Sequence, residues 1–108
     1  MGMDLNIYAA RNHENFKHDG WWDNENVIEK YYSRKYWDMV QNCSFIPRQY
    51  NGEFIPLTKE NLEEMIRVGC EYRNYWDNYN DVPKLCELRD EFEDLEDNGF
   101  HLYLHYSY

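Results

Sequence analysis

Hydrophobic and polar positions alternate at both ends of the chain. Met3-Asp4-Leu5-Asn6-Ile7-Tyr8-Ala9 puts Met3, Leu5 and Ile7 on one side of an extended segment, and Phe100 to Tyr108 alternates in the same way. A period of two marks a strand buried on one face. Between the two ends the period lengthens. Ile28, Tyr32, Tyr36, Met39 and Cys43 recur at helical spacing, which predicts a first helix from Asp23 or Asn24, either of which can cap it, to about Asn42. Thr58 is an N-cap for a second helix, about Lys59 to Asp77, with an inward stripe of Leu62, Met65, Ile66, Gly69, Arg73 and Trp76. In that stripe Gly69 points to a close helix approach and Arg73 to a partly buried, paired cation. Asp81 caps a third helix that tolerates Pro83 in its first turn. Leu85, Leu88, Phe92 and Leu95 form its stripe, and Gly99 after Asn98 is its stop signal.

Pro47 and Pro56 bracket Tyr50-Asn51-Gly52-Glu53-Phe54-Ile55, and Asn-Gly is a strong hairpin turn signal because a type I′ turn needs positive φ at both central residues. The resulting order, β-α-(hairpin)-α-α-β, predicts an α+β fold: a small, mainly antiparallel sheet with about three helices packed on one face. The first and last strands are expected to pair. At 108 residues the chain is expected to form a single compact domain over 1–108, burying about two-thirds of its unfolded surface.

Charge narrows the range of partners. The chain carries 21 Asp+Glu against 11 Lys+Arg, a formal net charge of -10. That sign disfavours bare nucleic acid and anionic membranes. The imbalance is concentrated: residues 1–52 are close to neutral, whereas Glu87 to Asp97 holds seven carboxylates and one arginine. Such asymmetry marks either an interaction surface or a solvated face that keeps the protein soluble. Aromatics make up 19% of the residues, far above what a disordered acidic tail contains. Trp21, Trp22, Tyr31, Trp37, Tyr75, Trp76 and Tyr79 exceed the needs of so small a core, and Tyr and Trp are residues that anchor protein interfaces.

The pattern contains no apolar run long enough for a membrane span and no basic, apolar leader. Asn6 stands where a myristoylation signal requires Ser or Thr. Cys43, Cys70 and Cys86 are odd in number and widely spaced, as expected of reduced, mostly buried thiols in a cytoplasmic protein.

Catalytic chemistry finds little support. There is no GxSxG, no glycine-rich phosphate loop and no Cys–His spacing of a known kind. His13, Glu14, His18, Asp19 and Asp23 share one polar loop and offer first-row metal ligands, but in no established pattern. His101 and His105 share a strand face roughly 13 Å apart, too far for one ion. Some pair of carboxylates is inevitable among so many, and nothing singles one out for glycoside chemistry. The expectation is therefore a protein that is not an enzyme and has no cofactor and no metal.

The opening Met1-Gly2-Met3-Asp4-Leu5-Asn6-Ile7-Tyr8-Ala9 resembles a group of small tailed-phage and prophage proteins that begin M-G-[LM]-D-[ML]-x-[LI]-Y. The aromatic segment Tyr31-Tyr32-Ser33-Arg34-Lys35-Tyr36-Trp37 and the step from Gly52 to Glu64 are also similar to theirs. The likeness covers about two-thirds of the chain and leaves out the acidic segment Asp81–Asp97. It implies a phage or prophage accessory protein acting in bacterial cytoplasm, and it carries over no catalytic residue.

With Leu85, Leu88, Phe92 and Leu95 facing inward, Glu87, Asp90, Glu93, Asp94 and Asp97 point away at 100° per residue. Positions 87, 90, 94 and 97 climb about 15 Å, with a carboxylate every ~4.5–6 Å. Phosphates recur every ~3.4 Å along one DNA strand, so this is a crude line of charge rather than a replica of one. The expected function is a stoichiometric inhibitor of a host nucleic-acid-handling defence complex, of the anti-CRISPR or anti-restriction type. Glu87, Asp90, Glu93, Asp94, Asp97, Trp21, Trp22 and Trp37 would contact a basic protein or nucleoprotein partner, with no direct nucleic acid bound. The alternative is a homo-oligomeric accessory protein, at its simplest a homodimer, whose aromatics bury a self-interface.

Overall fold

A computed structural model of the chain describes residues 2–11, 27–36, 43, 52, 54–71 and 81–107. These form β1 (Gly2–Ala10), β2 (Val27–Tyr36), β3 (Phe54–Leu57), α1 (Lys59–Glu71), α2 (Asp81–Asp97) and β4 (His101–Ser107). The strands make one sheet in the order β2-β1-β4-β3, with every neighbouring pair antiparallel. The α+β class is as the sequence predicts, with two helices rather than about three among the described residues.

The two ends of the chain do pair. The β1–β4 register sets Leu5 opposite Tyr106, Ile7 opposite Leu104 and Ala9 opposite Leu102, and all six side chains are buried. Leu62, Met65 and Val68 of α1 and Leu85, Leu88 and Phe92 of α2 close onto the same cluster. Both helices therefore cover this face of the sheet, and Gly69 is buried in α1 as its stripe predicts. Arg73 and Trp76, assigned to the same stripe, lie outside the described residues.

The first expected helix is the main correction, because residues 27–36 are strand β2. Pairing with β1 runs from Gly2 opposite Tyr36 to Ala10 opposite Val27, but steps from Ile7–Tyr31 directly to Tyr8–Glu29, leaving Lys30 as an extra residue. This β-bulge resets the two-residue alternation. Ile28 therefore lies on the helix side of the sheet and Tyr32 on the other, although their spacing of four sets them on one stripe of a helix. The β-branched and aromatic content of the segment, together with a partner strand to pair with, decides in favour of strand. Met39, and the rest of the expected helix over 37–42, lie outside the described residues.

Local signals elsewhere held. Thr58 and Asn61 form a reciprocal cap at the start of α1: the Asn61 N–H donates to Thr58 Oγ1 at 3.1 Å, and the Thr58 N–H donates to Asn61 Oδ1 at 3.0 Å. Leu57 before the cap and Leu62 after it are both buried in the core, the arrangement that fixes the entry angle of a helix. Gly52 has φ +82, and its N–H donates to the Tyr106 carbonyl at 2.8 Å. The turn signal thus marks a true left-handed position leading into β3. The other arm of the expected hairpin lies outside the described residues.

The end of α2 follows the Schellman pattern. The Phe100 N–H reaches the Leu95 carbonyl at 2.8 Å and the Gly99 N–H reaches Glu96 at 2.9 Å, with Gly99 at φ +85. Two substitutions test these boundaries in urea denaturation. Thr58→Ala is expected to lower stability by about 1 kcal/mol through loss of the cap. Gly99→Ala is expected to cost about 1–2 kcal/mol, because a Cβ is disfavoured at that φ and would meet Arg11 Nη1 at 3.2 Å. Both should shift the midpoint and leave the slope unchanged.

Candidate partner-binding surface

Helix α2 is oriented by its apolar stripe. Leu85, Leu88 and Phe92 are buried and Leu95 is half-buried, so Glu87, Asp90, Glu93, Asp94 and Asp97 are all exposed, together with Glu91 and Glu96. The five acidic residues named from sequence thus stand on the solvent side of one helix. Trp21, Trp22 and Trp37, the other candidate contacts, lie outside the described residues. So do Tyr75, Trp76 and Tyr79. Tyr31 does not serve an outer surface: it is only 3% exposed and belongs to the core.

Cations from three other elements brace the flanks of this helix, and spacing along the chain did not reveal them. Lys30, the bulge residue of β2, reaches Glu91 at 3.0 Å, and Lys59, the first residue of α1, reaches Glu93 at 3.2 Å. Arg11, just past β1, donates to the Asn98 carbonyl at 2.9 Å and lies 4.4 Å from the Phe100 ring centroid. Within the helix, Arg89 stands 3.5 Å from Asp90. Among the described residues, no cation forms an ion pair with Glu87, Asp94, Glu96 or Asp97. Exposed pairs of this kind contribute at most about 1 kcal/mol each, so the outer ridge keeps most of its negative potential.

The position of the acids along the helix is also informative. Asp94, Glu96 and Asp97 crowd the C-terminal end, and the last turn contains no basic residue. The helix dipole is negative there, so each carboxylate is disfavoured by roughly 0.3–1 kcal/mol. Arg11, just past β1, brings to that end the positive charge that the last turn of α2 lacks.

The sheet face away from the helices carries a second cluster. Ala10, Val27 and Tyr103 are buried there, with Tyr8 and Phe54 packed against them. Phe54 stacks on His105 at 4.6 Å and lies 6.0 Å from the Tyr8 ring. Burial, with Glu29 nearby, pushes the Tyr8 hydroxyl up to about 12. The Glu29 carboxylate accepts from Asn6 Nδ2 at 2.7 Å, and the Tyr32 hydroxyl donates to Asp4 at 3.0 Å. The alternation in β4 already placed Tyr103 and His105 on one face, but only the register with β3 brings Phe54 onto it.

The remaining chemical candidates separate. His13, Glu14, His18, Asp19 and Asp23 lie outside the described residues, and no group of potential metal ligands is found among the described ones. His101 is exposed and His105 half-buried, four residues apart on one strand. The cysteines are free: Cys43 is buried, whereas Cys86 is intermediate and Cys70 exposed, against the expectation that most would be buried. Burial pushes the Cys43 thiol up to about 12, with Glu64 adding to the shift, so it is a neutral packing group. An open groove of about 530 Å³ lies beside the start of α1, lined by Thr58, Lys59, Phe92, Glu96 and His101. No described helix is long and apolar enough to cross a membrane.

No protein-family model, curated protein or solved structure matches the chain.

His105 gives this region a pH dependence. Burial lowers its pKa from the ordinary 6.5, against a smaller opposing effect of a hydrogen bond with the Gly52 backbone. As pH falls, the unfolded chain therefore takes up the proton first. The stability that His105 contributes is whole above pH 6.5 and is lost as pH drops towards the native value. Urea melts from about pH 7.5 down to about pH 5 should show stability falling, and His105→Gln should flatten that slope.

Proposed function

We propose that this chain is a small acidic binding protein that occludes a basic surface on a nucleic-acid-handling complex. Its acidic helix stands in for the line of charge that the complex normally binds. The phage-type opening of the sequence makes a host defence complex, of the CRISPR or restriction kind, the natural target. The observation that carries the reading is the outer ridge of α2: Glu87, Asp90, Asp94 and Asp97 are all exposed, and three of the four have no ion-pair partner among the described residues. Like charges at this spacing repel, and those in the last turn also oppose the helix dipole. A helix kept only to cover the core has no reason to carry that strain.

The mechanism is stoichiometric competition. Charge accelerates encounter with a basic surface and is screened by salt, while close-packed contacts set the residence time. A homo-oligomeric accessory role is the competing reading, and the exposure of Ile28 and Tyr32 on β2 favours it. In that case self-association is the whole role, and capture from lysate recovers the protein itself and no basic complex at either salt concentration.

The test is capture of partners from bacterial lysate at low and high salt, followed by binding kinetics with the recovered complex. Asp90→Lys combined with Asp94→Lys is expected to lower the association rate by about tenfold or more, with a smaller change in dissociation. Unchanged kinetics in the double variant would overturn the acidic-ridge mechanism.

A further inference from the structure

The two edges of the sheet are unlike. β3 is four residues long and contains Pro56, features that blunt an edge against further pairing. β2 is ten residues long without proline, and among the described residues it pairs on one side only. The exposed large hydrophobics of the described residues, Ile28 at 40% and Tyr32 at 54%, are both on β2. Lysine is the usual guard of an edge strand; of the two lysines of β2, Lys30 is turned back onto Glu91 of α2 at 3.0 Å, and Lys35 falls next to the last residue of the strand. An open groove of about 450 Å³ runs beside the strand, between Lys30, Tyr31 and Tyr32 on one side and Lys84, Glu87 and Leu88 on the other.

We propose that β2 is a self-association edge, pairing antiparallel with β2 of a second copy about a two-fold axis to form one continuous eight-stranded sheet. The strand is self-complementary about Tyr32. In an antiparallel pair, opposed residues share a face of the sheet. The register with β1 puts Val27, Glu29, Tyr32, Arg34 and Tyr36 on the face of Asp4, Asn6 and Tyr8, and Ile28, Tyr31, Ser33 and Lys35 on the face of the helices. A two-fold axis through Tyr32, with Lys30 bulged out, sets Tyr31 opposite Ser33, Glu29 opposite Arg34, Ile28 opposite Lys35 and Val27 opposite Tyr36. Every pair matches face to face, and the symmetry repeats an acid-to-base pair twice. An isologous contact of this kind closes on itself and leaves β3 as the outer edge at both ends. Glu87 borders the groove, but none of the outward acids of α2 is among the opposed residues, so the variants that test the pairing leave the acidic ridge unchanged.

The experiment is sedimentation equilibrium of the full chain over a range of concentrations, with the fold of each variant checked by circular dichroism. The wild type is expected to show a weak monomer–dimer equilibrium. Glu29→Arg alone and Arg34→Glu alone each place like charges opposite one another twice, and each should weaken association by about tenfold or more. The double exchange restores the opposed charges and should restore the dimer. Tyr32→Lys sets two cations across the axis while keeping a partner for Asp4, and should give a monomer. Hydrogen exchange on the wild type, which needs no variant, should show protection of β2 amides rising with protein concentration. A wild type that stays monomeric throughout would overturn the proposal, as would a dimer indifferent to these exchanges or concentration-dependent protection confined to another element.

Discussion

The pairing of β1 with β4 is the constraint on which the rest of the structure depends. It joins residues 4–10 to residues 101–107, so the two ends of the chain occupy the centre of the sheet and the intervening segments must pack around them. The three opposed pairs Leu5–Tyr106, Ile7–Leu104 and Ala9–Leu102 give the helices an apolar floor. A slip of one residue would turn that floor over to the other face, replacing it with Asp4, Asn6, His105 and Ser107. Such non-local pairing must overcome the loop-closure entropy of nearly the whole chain before its contacts form. The dense burial along β1 and β4 is the energetic counterpart of that topology.

From this floor follows the character of α2. Its stripe of Leu85, Leu88 and Phe92 is bound to the sheet, and the acids on its other side are exposed. The helix is not self-sufficient, because its carboxylates repel one another and its last turn opposes its own dipole. Lys30, Lys59 and Arg11 bring compensating charge from β2, α1 and the end of β1. They act at the flanks and the terminus, which leaves Glu87, Asp94 and Asp97 of the outward ridge without an ion pair among the described residues. The same packing places the bulge of β2 against α2. Lys30 is consequently committed to Glu91 and does not guard the outer edge of the sheet.

Much of this architecture was legible in the residues alone, for a common reason. The alternation of β1 and β4, the Thr58 cap, the left-handed glycines at 52 and 99, the stripe of α2 and the outward direction of its acids are all encoded within a few neighbouring residues. Local sterics, capping hydrogen bonds and side-chain periodicity act at that range. Strand β2 was illegible because its signal is not local. Ile28, Tyr32 and Tyr36 recur at four, as on one stripe of a helix, and only the presence of β1 alongside, with Lys30 as the extra residue, shows that the segment is extended.

The tertiary structure also decided everything that required distant residues to meet. Phe54 came to His105 and Tyr8 through the pairing of β3 with β4 and the face they share away from α1 and α2. Arg11 came to the end of α2 because the end of β1 lies beside the start of β4. Tyr31 went into the core, and Ile28 and Tyr32 stayed on an edge, because sheet order places β2 last. The sequence by itself determined an acidic α+β protein and the outward line of carboxylates, since composition and a 3.6-residue period suffice for both. Sheet order, the bulge, and which cations and aromatics meet which partners were decided only by the fold, because they depend on register between segments separated by tens of residues.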